Sequence, residues 1–300
     1  MKILNDITNI KTHLTFNCDY NINNINVKFY SCNFSFVKEE DNYLVNFRCV
    51  NYLNITSLKF NGINEFITIN VMVRYDKDFN VLDKVILSPN FDLLNKKNAF
   101  VGVEDIRLFK YKNDILFTGG VAFDKYRSHN NGIMCGNYLE YAEKKETYVT
   151  PYQHRQTIEK NWVYFENGDE LYLIYHWSPL TICKLVDNEL VKIKEINFKL
   201  LNGMRGSSSG IKYNSEIWFI THTSHNRSFE HYFVIFDLDM KLLRVSEPFK
   251  FENYTCEYCM CFHIENDRFF IGYSINDNSS ILNIYNVNDL LTNVTFQNNE

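Results

Sequence analysis

Proline and glycine are scarce in this chain, 4 and 11 among 300 residues, which rules out collagen-like and Pro/Gly-rich low-complexity architectures. No apolar run reaches the roughly eighteen residues that a membrane-spanning helix needs, so a soluble chain with no membrane partner is expected. An excess of basic charge is missing as well: 31 Lys and Arg against 36 Asp and Glu give a formal net charge of −5, and the cations are scattered. Nucleic acid and anionic membrane surfaces demand a basic stripe, so neither is an expected partner. The opening residues, MKILNDITNIKTHL, carry no apolar stretch behind a basic start. No cleaved secretory signal is therefore expected, the expected compartment is the cytoplasm, and the sequon Asn33-Phe34-Ser35 carries little meaning.

Paired cysteine spacing is also lacking. Eight cysteines spread from Cys18 to Cys261, and only Cys256, Cys259 and Cys261 lie close together. No second CxxC completes four ligands, and Cys259 and Cys261 fall two apart in a strand-like run, where thiols pack as small hydrophobes. No zinc site is expected there.

Aromatic residues are abundant, with 25 Phe, 20 Tyr and 3 Trp, and they recur in a repeat. Five nineteen-residue segments align: FSFVKEEDNYLVNFRCVNY from Phe34, DIRLFKYKNDILFTGGVAF from Asp105, NWVYFENGDELYLIYHWSP from Asn161, SSSGIKYNSEIWFITHTSH from Ser207 and CMCFHIENDRFFIGYSIND from Cys259. In each, an apolar or aromatic run leads into a polar turn with Asn, Asp or Gly, and a second β-branched and aromatic run follows, which predicts a hairpin. Further runs between them, FITINVMVRY with FNVLDKVIL and HYFVIFDLD with LLRVSEPF, supply two outer strands per unit. Four strands per unit make a propeller blade. The expected fold is all-β, a five-bladed β-propeller forming one domain over 1–300, with blade hairpins near 34–52, 105–123, 161–179, 207–225 and 259–277. The spacing of roughly fifty to seventy residues and the lack of GH and WD dipeptides disfavour the signalling-scaffold propellers. Only YLEYAEKK at 138–145 and the segment 287–291 read as helical connectors.

In such a fold, equivalent strand ends converge on the mouth of the central channel, where ligands bind. Polar residues gather at those positions. At first-strand starts stand Asn33 and Ser35, Asp105 with Arg107, Lys160 with Asn161, and Arg205 ahead of Gly206, Ser207, Ser208 and Ser209. At second-strand ends stand Arg48, His176, His222 and Asp277, with Arg227, His231 and Tyr232 just beyond His222. Asp105 and Arg107 alone would read as a surface ion pair of small worth. Ionisable or amide groups at the same register in the other repeats favour a functional reading. His222, His225 and His231 keep a metal site in view, but arginines among histidines repel a dication and suit phosphate, so no metal is expected.

These positions resemble the β-mannoside phosphorylases, a five-bladed propeller family whose relatives include hydrolases and mannosyltransferases; the resemblance spans about residues 30–285. VEDIRLF at Val103–Phe109 looks like the family's EDPR signature, with Ile106 for the proline, and implies that Asp105 is the catalytic acid. KNWVYFENGDELYLIYHWSP is similar to a KN or RN segment followed by a strand pair ending in HRP; it implies phosphate contacts from Lys160, Asn161 and His176, with Trp177 in place of the arginine. RGSSSGIKYNSEIWFITHTS looks like the KIGxGxPPI segment and its following YHG strand, so Arg205 stands for a sugar-binding lysine and His222 for a phosphate-binding histidine. GYSIND is similar to YYGAAD, which makes Asp277 a sugar ligand. NFSF and FRCVNY resemble FNPS and YRV, giving Asn33, Ser35 and Arg48 sugar contacts, and Arg107, beside the acid, is expected to bind sugar as well.

The resemblance implies inverting transfer. Asp105 protonates the leaving oxygen by way of a sugar hydroxyl while phosphate, already a nucleophilic anion, attacks the opposite face without a general base. Lys160, Asn161, His176, His222, Arg227, His231 and Tyr232 form the expected phosphate set. No cofactor is expected; inorganic phosphate or a sugar phosphate is substrate, with an oligosaccharide as the other partner. Two alternatives remain open: a hydrolase using a second carboxylate such as Glu257 or Glu159, and a non-catalytic propeller that binds glycan or protein.

Overall fold

The computed structural model describes residues 1–14, 16–53, 59–89, 91, 100–124, 130–144, 148–149, 159–187, 189–226 and 228–299, with the side chains of 123–124, 130–131 and 148–149 excepted. The protein is nearly all β, 64% strand and 7% helix. Among the described residues two short α-helices, Tyr138–Ala142 and Val287–Asn293, fall on the two predicted connectors. Each is capped by an asparagine, Asn137 and Asn286, whose side chain accepts two backbone N–H groups of the first turn. Among the described residues no helix is long and apolar enough to cross a membrane.

Among the described residues the five larger sheets correspond one to one with the five repeats. Scarce glycine does not limit the turns, because asparagine and aspartate take the left-handed positions: Asn23 and Asn24, Asn266 and Asp267, and Asn276 and Asp277 all have positive φ.

The chain packs as two compact units. One comprises Leu14–Lys160 with Asn276–Ser280. Its first sheet runs in the antiparallel order Cys18–Ile22, Ile25–Glu39, Asn42–Val50, Thr68–Tyr75, Val81–Leu87. Asn42–Val50 is buried at every position but its first, whereas the edge strand Val81–Leu87 is exposed at every position but its last. The second sheet runs Glu104–Tyr111, Asp114–Asp124, Asn130–Asn137, Tyr148–Val149. Val37, Leu44, Met72 and Leu87 from the first sheet pack on Val103, Ile106, Leu108, Ile115, Phe117 and Tyr138. Fully burying a side chain such as Phe117 contributes about 1.5–3 kcal/mol. Asparagines tie the two sheets together: Tyr138 Oη donates to Asn46 Oδ1 at 2.8 Å, Asn46 Nδ2 to Asn70 Oδ1 at 3.0 Å, and Asn70 Nδ2 to the Val103 carbonyl at 2.9 Å.

The other unit comprises Met1–His13, Asn161–Ile275 and Ile281–Glu300. The third repeat gives the sheet Val163–Asn167, Glu170–Trp177, Leu180–Val186, Glu189–Ile196. In the last repeat Glu257–Glu265, Arg268–Ile275 and Ser279–Asn286 take Ile10–His13, from the start of the chain, as their fourth strand. The fourth repeat departs from its predicted hairpin. Its first strand is split into Arg205–Gly206 and Ile211–Tyr213, both paired with Glu216–His225. Between them serine hydroxyls and tight packing replace the ladder: Ser207 N and Ser208 N both donate to the Ile220 carbonyl, and Ser208 Oγ accepts from Ile220 N at 2.9 Å. Gly206 and Gly210 bracket this segment because a Cβ on either would lie 2.5 Å from Asn161 O or from the Phe219 ring.

Candidate active site

Successive side chains of a regular strand point to opposite faces, yet Glu104 and Asp105 address one guanidinium. Their strand pairs Glu104 with Gly120 and Arg107 with Thr118, so the register slips between them, and Asp105 sits at φ 50°. Such a bulge re-aims a side chain, and left-handed backbone at a non-glycine residue is strain of the kind held at functional sites. Gly102, at φ 103°, lets the chain approach the Thr68 carbonyl, to which a Cβ would come within 2.1 Å.

Arg48 extends from the buried central strand. Its Nη1 donates to Asp105 Oδ1 at 2.8 Å, its Nη2 bonds Glu104 Oε1, and its Nε donates to Thr68 Oγ1 at 3.4 Å. Asn33, opposite Arg48 across the hairpin, donates Nδ2 to the same Asp105 Oδ1 at 2.9 Å. Among the described residues nothing bonds Asp105 Oδ2, and the Asp105 and Glu104 side chains keep 27% and 28% exposure. Arg107 is buried and donates Nη1 to the Asp105 carbonyl at 3.0 Å. Ser35 is buried too; its hydroxyl donates to Ile106 O at 2.6 Å and accepts from Leu108 N, tying the hairpin to the strand that carries the acid.

The two carboxyls are driven in opposite directions. Burial pushes Asp105 up, but Arg48, then Arg107, and the hydrogen bonds from Asn33 and Arg48 hold it below the usual carboxylate range. Burial pushes Glu104 up, Arg48 opposes, and the negative charges of Asp105 and Asp277 help leave it above its ordinary value despite Lys160. The structure thus brings together Asn33, Arg48, Asp105 and Arg107, with Lys160 and Asp277 within electrostatic reach. Glu104 was missed by sequence reasoning because alternation assigns it to the other face; its only signal is its place in VEDIRLF.

In the other unit, His222 is buried, with Nδ1 2.8 Å from Ser207 Oγ. Its ring meets Tyr258 edge-on at 5.1 Å and Phe229 at 5.6 Å, and Tyr258 Oη donates to Asn161 Oδ1 at 3.0 Å. Asn161, at φ 62°, Ser207, His222 and Tyr258 therefore form one polar group among aromatic rings. Tyr258 carried no signal in the repeat. Arg205 is exposed and pairs across the ladder with His222. His176 is half-buried, with Nδ1 3.3 Å from the Pro179 carbonyl. Tyr232 Oη donates to Glu230 Oε2 at 3.3 Å and lies 3.4 Å from Thr223 Oγ1.

His231 lies fully buried between Phe249 and Phe251, its Nε2 accepting from Cys259 N at 3.3 Å. Burial, with a smaller push from Lys250, lowers its pKa to about 3, so it is a neutral core imidazole at physiological pH. Arg227 lies outside the described residues. Trp177 packs in the core against Phe219 at 5.3 Å. Glu257 is fully buried and accepts backbone N–H groups from Phe251, Glu252 and Tyr254 at 2.6, 3.0 and 2.6 Å, which makes it the anchor of that loop rather than a base open to water. Glu159 is buried as well.

No protein-family model and no curated protein matches the chain. Solved structures do. A β-1,2-mannobiose phosphorylase from Listeria innocua, in complex with β-1,2-mannobiose, superposes with a TM-score of 0.60 at 10% identity, covering 88% of this chain and 92% of that one. A mannose phosphorylase from Leishmania mexicana, in complex with a phosphate ion, gives 0.54 at 11% identity over 90% and 87%. A glycosyl hydrolase from Bacteroides ovatus gives 0.59 at 10% identity over 85% and 84%. The chain shares the fold of these mannoside phosphorylases and glycosidases.

Proposed function

We propose that this protein makes or breaks a glycosidic bond to mannose, as an inverting β-mannoside phosphorylase that, run in reverse, transfers mannose from mannose 1-phosphate. One sheet per repeat matches the count of a five-bladed propeller. The observation that carries the reading is Asp105: a strained, partly exposed carboxyl, fixed through Oδ1 by Arg48 and Asn33 and open at Oδ2. A sugar hydroxyl on Oδ2 would pass a proton to the leaving oxygen. Asn33, Arg48, Arg205 and Asp277 are the proposed sugar-binding residues, with Ser35 and Arg107 holding the acid's strand. Lys160, Asn161, His176, His222 and Tyr232 are the proposed phosphate-binding residues; His231 supports them from the core as a neutral ring. The chemistry needs no cofactor, since phosphate or the sugar phosphate is itself a reactant.

The ligands of the fold's neighbours, mannobiose and phosphate, support this choice over a silent propeller. The buried Glu257, saturated by backbone donors, counts against hydrolysis. Incubation with β-1,2-mannobiose and phosphate, followed by phosphorus NMR, tests the reading. A new sugar-phosphate signal that fails to form with Asp105→Asn supports it; free mannose with phosphate unconsumed replaces it with hydrolysis.

A further inference from the structure

Two of the eight cysteines meet in the first sheet. Cys18 and Cys49 both pair with the strand Ile25–Glu39, Cys18 opposite Phe29 and Cys49 opposite Ser31. Ladder partners share a face, as do residues two apart, so both thiols lie on one side of the sheet. The chain just before Cys18 is folded onto Cys49: Phe16 O accepts from Cys49 Sγ at 3.4 Å, the Phe16 ring stacks on Phe47 at 6.1 Å, and Asn17 Oδ1 accepts from Ser31 N at 3.2 Å. There the thiols of Cys18 and Cys49 hydrogen-bond each other. Cys49 is buried, whereas Cys18 is half-buried and open to solvent on one side. Lys84, whose Nζ lies 5.4 Å from the Phe16 ring, is a neighbouring cation. We infer that Cys18 and Cys49 are a dithiol–disulfide couple, a modification site that a peroxide closes and a small dithiol reopens.

The couple is independent of the proposed glycosidic chemistry. A thiol buried by itself packs as a small hydrophobe and stays inert. A disulfide needs a second sulfur within reach and an attacking thiol that solvent can reach, and this pair supplies both. Its surroundings also divide the roles. The hydrogen bond from Cys49 holds the Cys18 thiol below its ordinary range, with Lys84 assisting and burial and Asp19 opposing. The same bond, with burial and the neighbouring Cys32, pushes the Cys49 thiol up. Cys18 is thus the attacking sulfur and Cys49 the resolving one. In the first step the Cys18 thiolate attacks one oxygen of hydrogen peroxide. The O–O bond breaks, a sulfenic acid forms on Cys18, and the departing hydroxide takes up the proton that Cys18 gave. In the second step the Cys49 sulfur attacks the Cys18 sulfur, the S–O bond breaks, and hydroxide leaves with the Cys49 proton as water. Two thiols and one peroxide become one disulfide and two waters, and the two electrons that the sulfurs lose reduce the peroxide.

The test treats the fully reduced protein with one equivalent of hydrogen peroxide, alkylates the remaining thiols in denaturant and maps the cysteines by peptide mass. Expected is a cross-linked pair of peptides carrying Cys18 and Cys49, two hydrogens lighter than their sum and separated by dithiothreitol, while the buried Cys135 and Cys183 are alkylated in full. Cys18→Ser should abolish the cross-link and leave Cys49 alkylated. Cys49→Ser should stop the reaction at the sulfenic acid, which dimedone captures on Cys18. The wild-type map stands without either variant, so misfolding of one of them leaves the test intact. A disulfide from Cys18 to any other cysteine, or oxidised Cys18 beside a fully alkylated Cys49, would overturn the inference. So would full alkylation of both thiols after excess peroxide.

Discussion

Asn33 and Arg48 stand opposite each other across one hairpin, and both donate to a single oxygen, Asp105 Oδ1, at 2.9 and 2.8 Å. Two donors on one oxygen fix the carboxyl plane and turn the second oxygen outward. The repeat therefore brings residues of the first sheet to the acid of the second sheet by strand register alone.

Arg48→Lys is expected to break this arrangement, since an ammonium on a flexible stem cannot hold two carboxyls and Thr68 in one plane. Stability should fall by about 1–3 kcal/mol, as expected when a buried charged hydrogen-bonding group is left poorly matched. Thermal denaturation and turnover, measured on the same preparation, check both losses.

His231 should make the protein acid-sensitive. Its folded pKa, about 3, lies below the ordinary 6.5, so between those values the unfolded chain binds the proton and the folded chain does not. Stability is fully present above about pH 6.5 and falls as the pH drops toward 3, by at most about 1.4 kcal/mol per pH unit from this group. Denaturant midpoints at pH 7, 6 and 5 for wild type and His231→Gln should show the slope and its reduction in the variant.

Gly206→Ala should destabilise the fourth repeat. The new Cβ would sit 2.5 Å from the Asn161 carbonyl and 3.0 Å from Trp177 Nε1, and a backbone carbonyl cannot swing aside as a side-chain tip does. A cost of about 1–3 kcal/mol is expected from such overpacking, together with a weakened Asn161–Tyr258 contact. Urea denaturation gives the first, and the KM for phosphate the second.

Glu257→Gln separates structure from chemistry. The variant keeps one acceptor oxygen but turns the other into a donor against backbone N–H groups, for a cost of about 1–3 kcal/mol. Since Glu257 is a loop anchor, the pH profile of turnover should be unchanged. Loss of turnover at unchanged stability would restore Glu257 as a hydrolytic base.

Much of this was legible beforehand because hairpin chemistry is local. Alternating aromatic runs and Asn- or Asp-rich turns mark the repeats, and both helical connectors lie where YLEYAEKK and 287–291 indicate. What period-two reasoning loses is the bulge: it hides Glu104 and splits the strand at Ser207–Gly210, where hydroxyls substitute for ladder bonds. It also takes His231 for a phosphate ligand, since one residue's phase decides whether a histidine beside a strand end meets solvent or Phe249 and Phe251. Tyr258 is reachable only in three dimensions, through His222 and Asn161.

The most direct test of the central claim is phosphate release from α-mannose 1-phosphate with a panel of sugar acceptors, comparing wild type with Asp105→Asn, which keeps the carboxyl's shape and removes its acid. The account predicts acceptor-dependent release that the substitution abolishes. Saturable mannoside binding with no release, unchanged in Asp105→Asn, would contradict it and identify a glycan-binding protein instead.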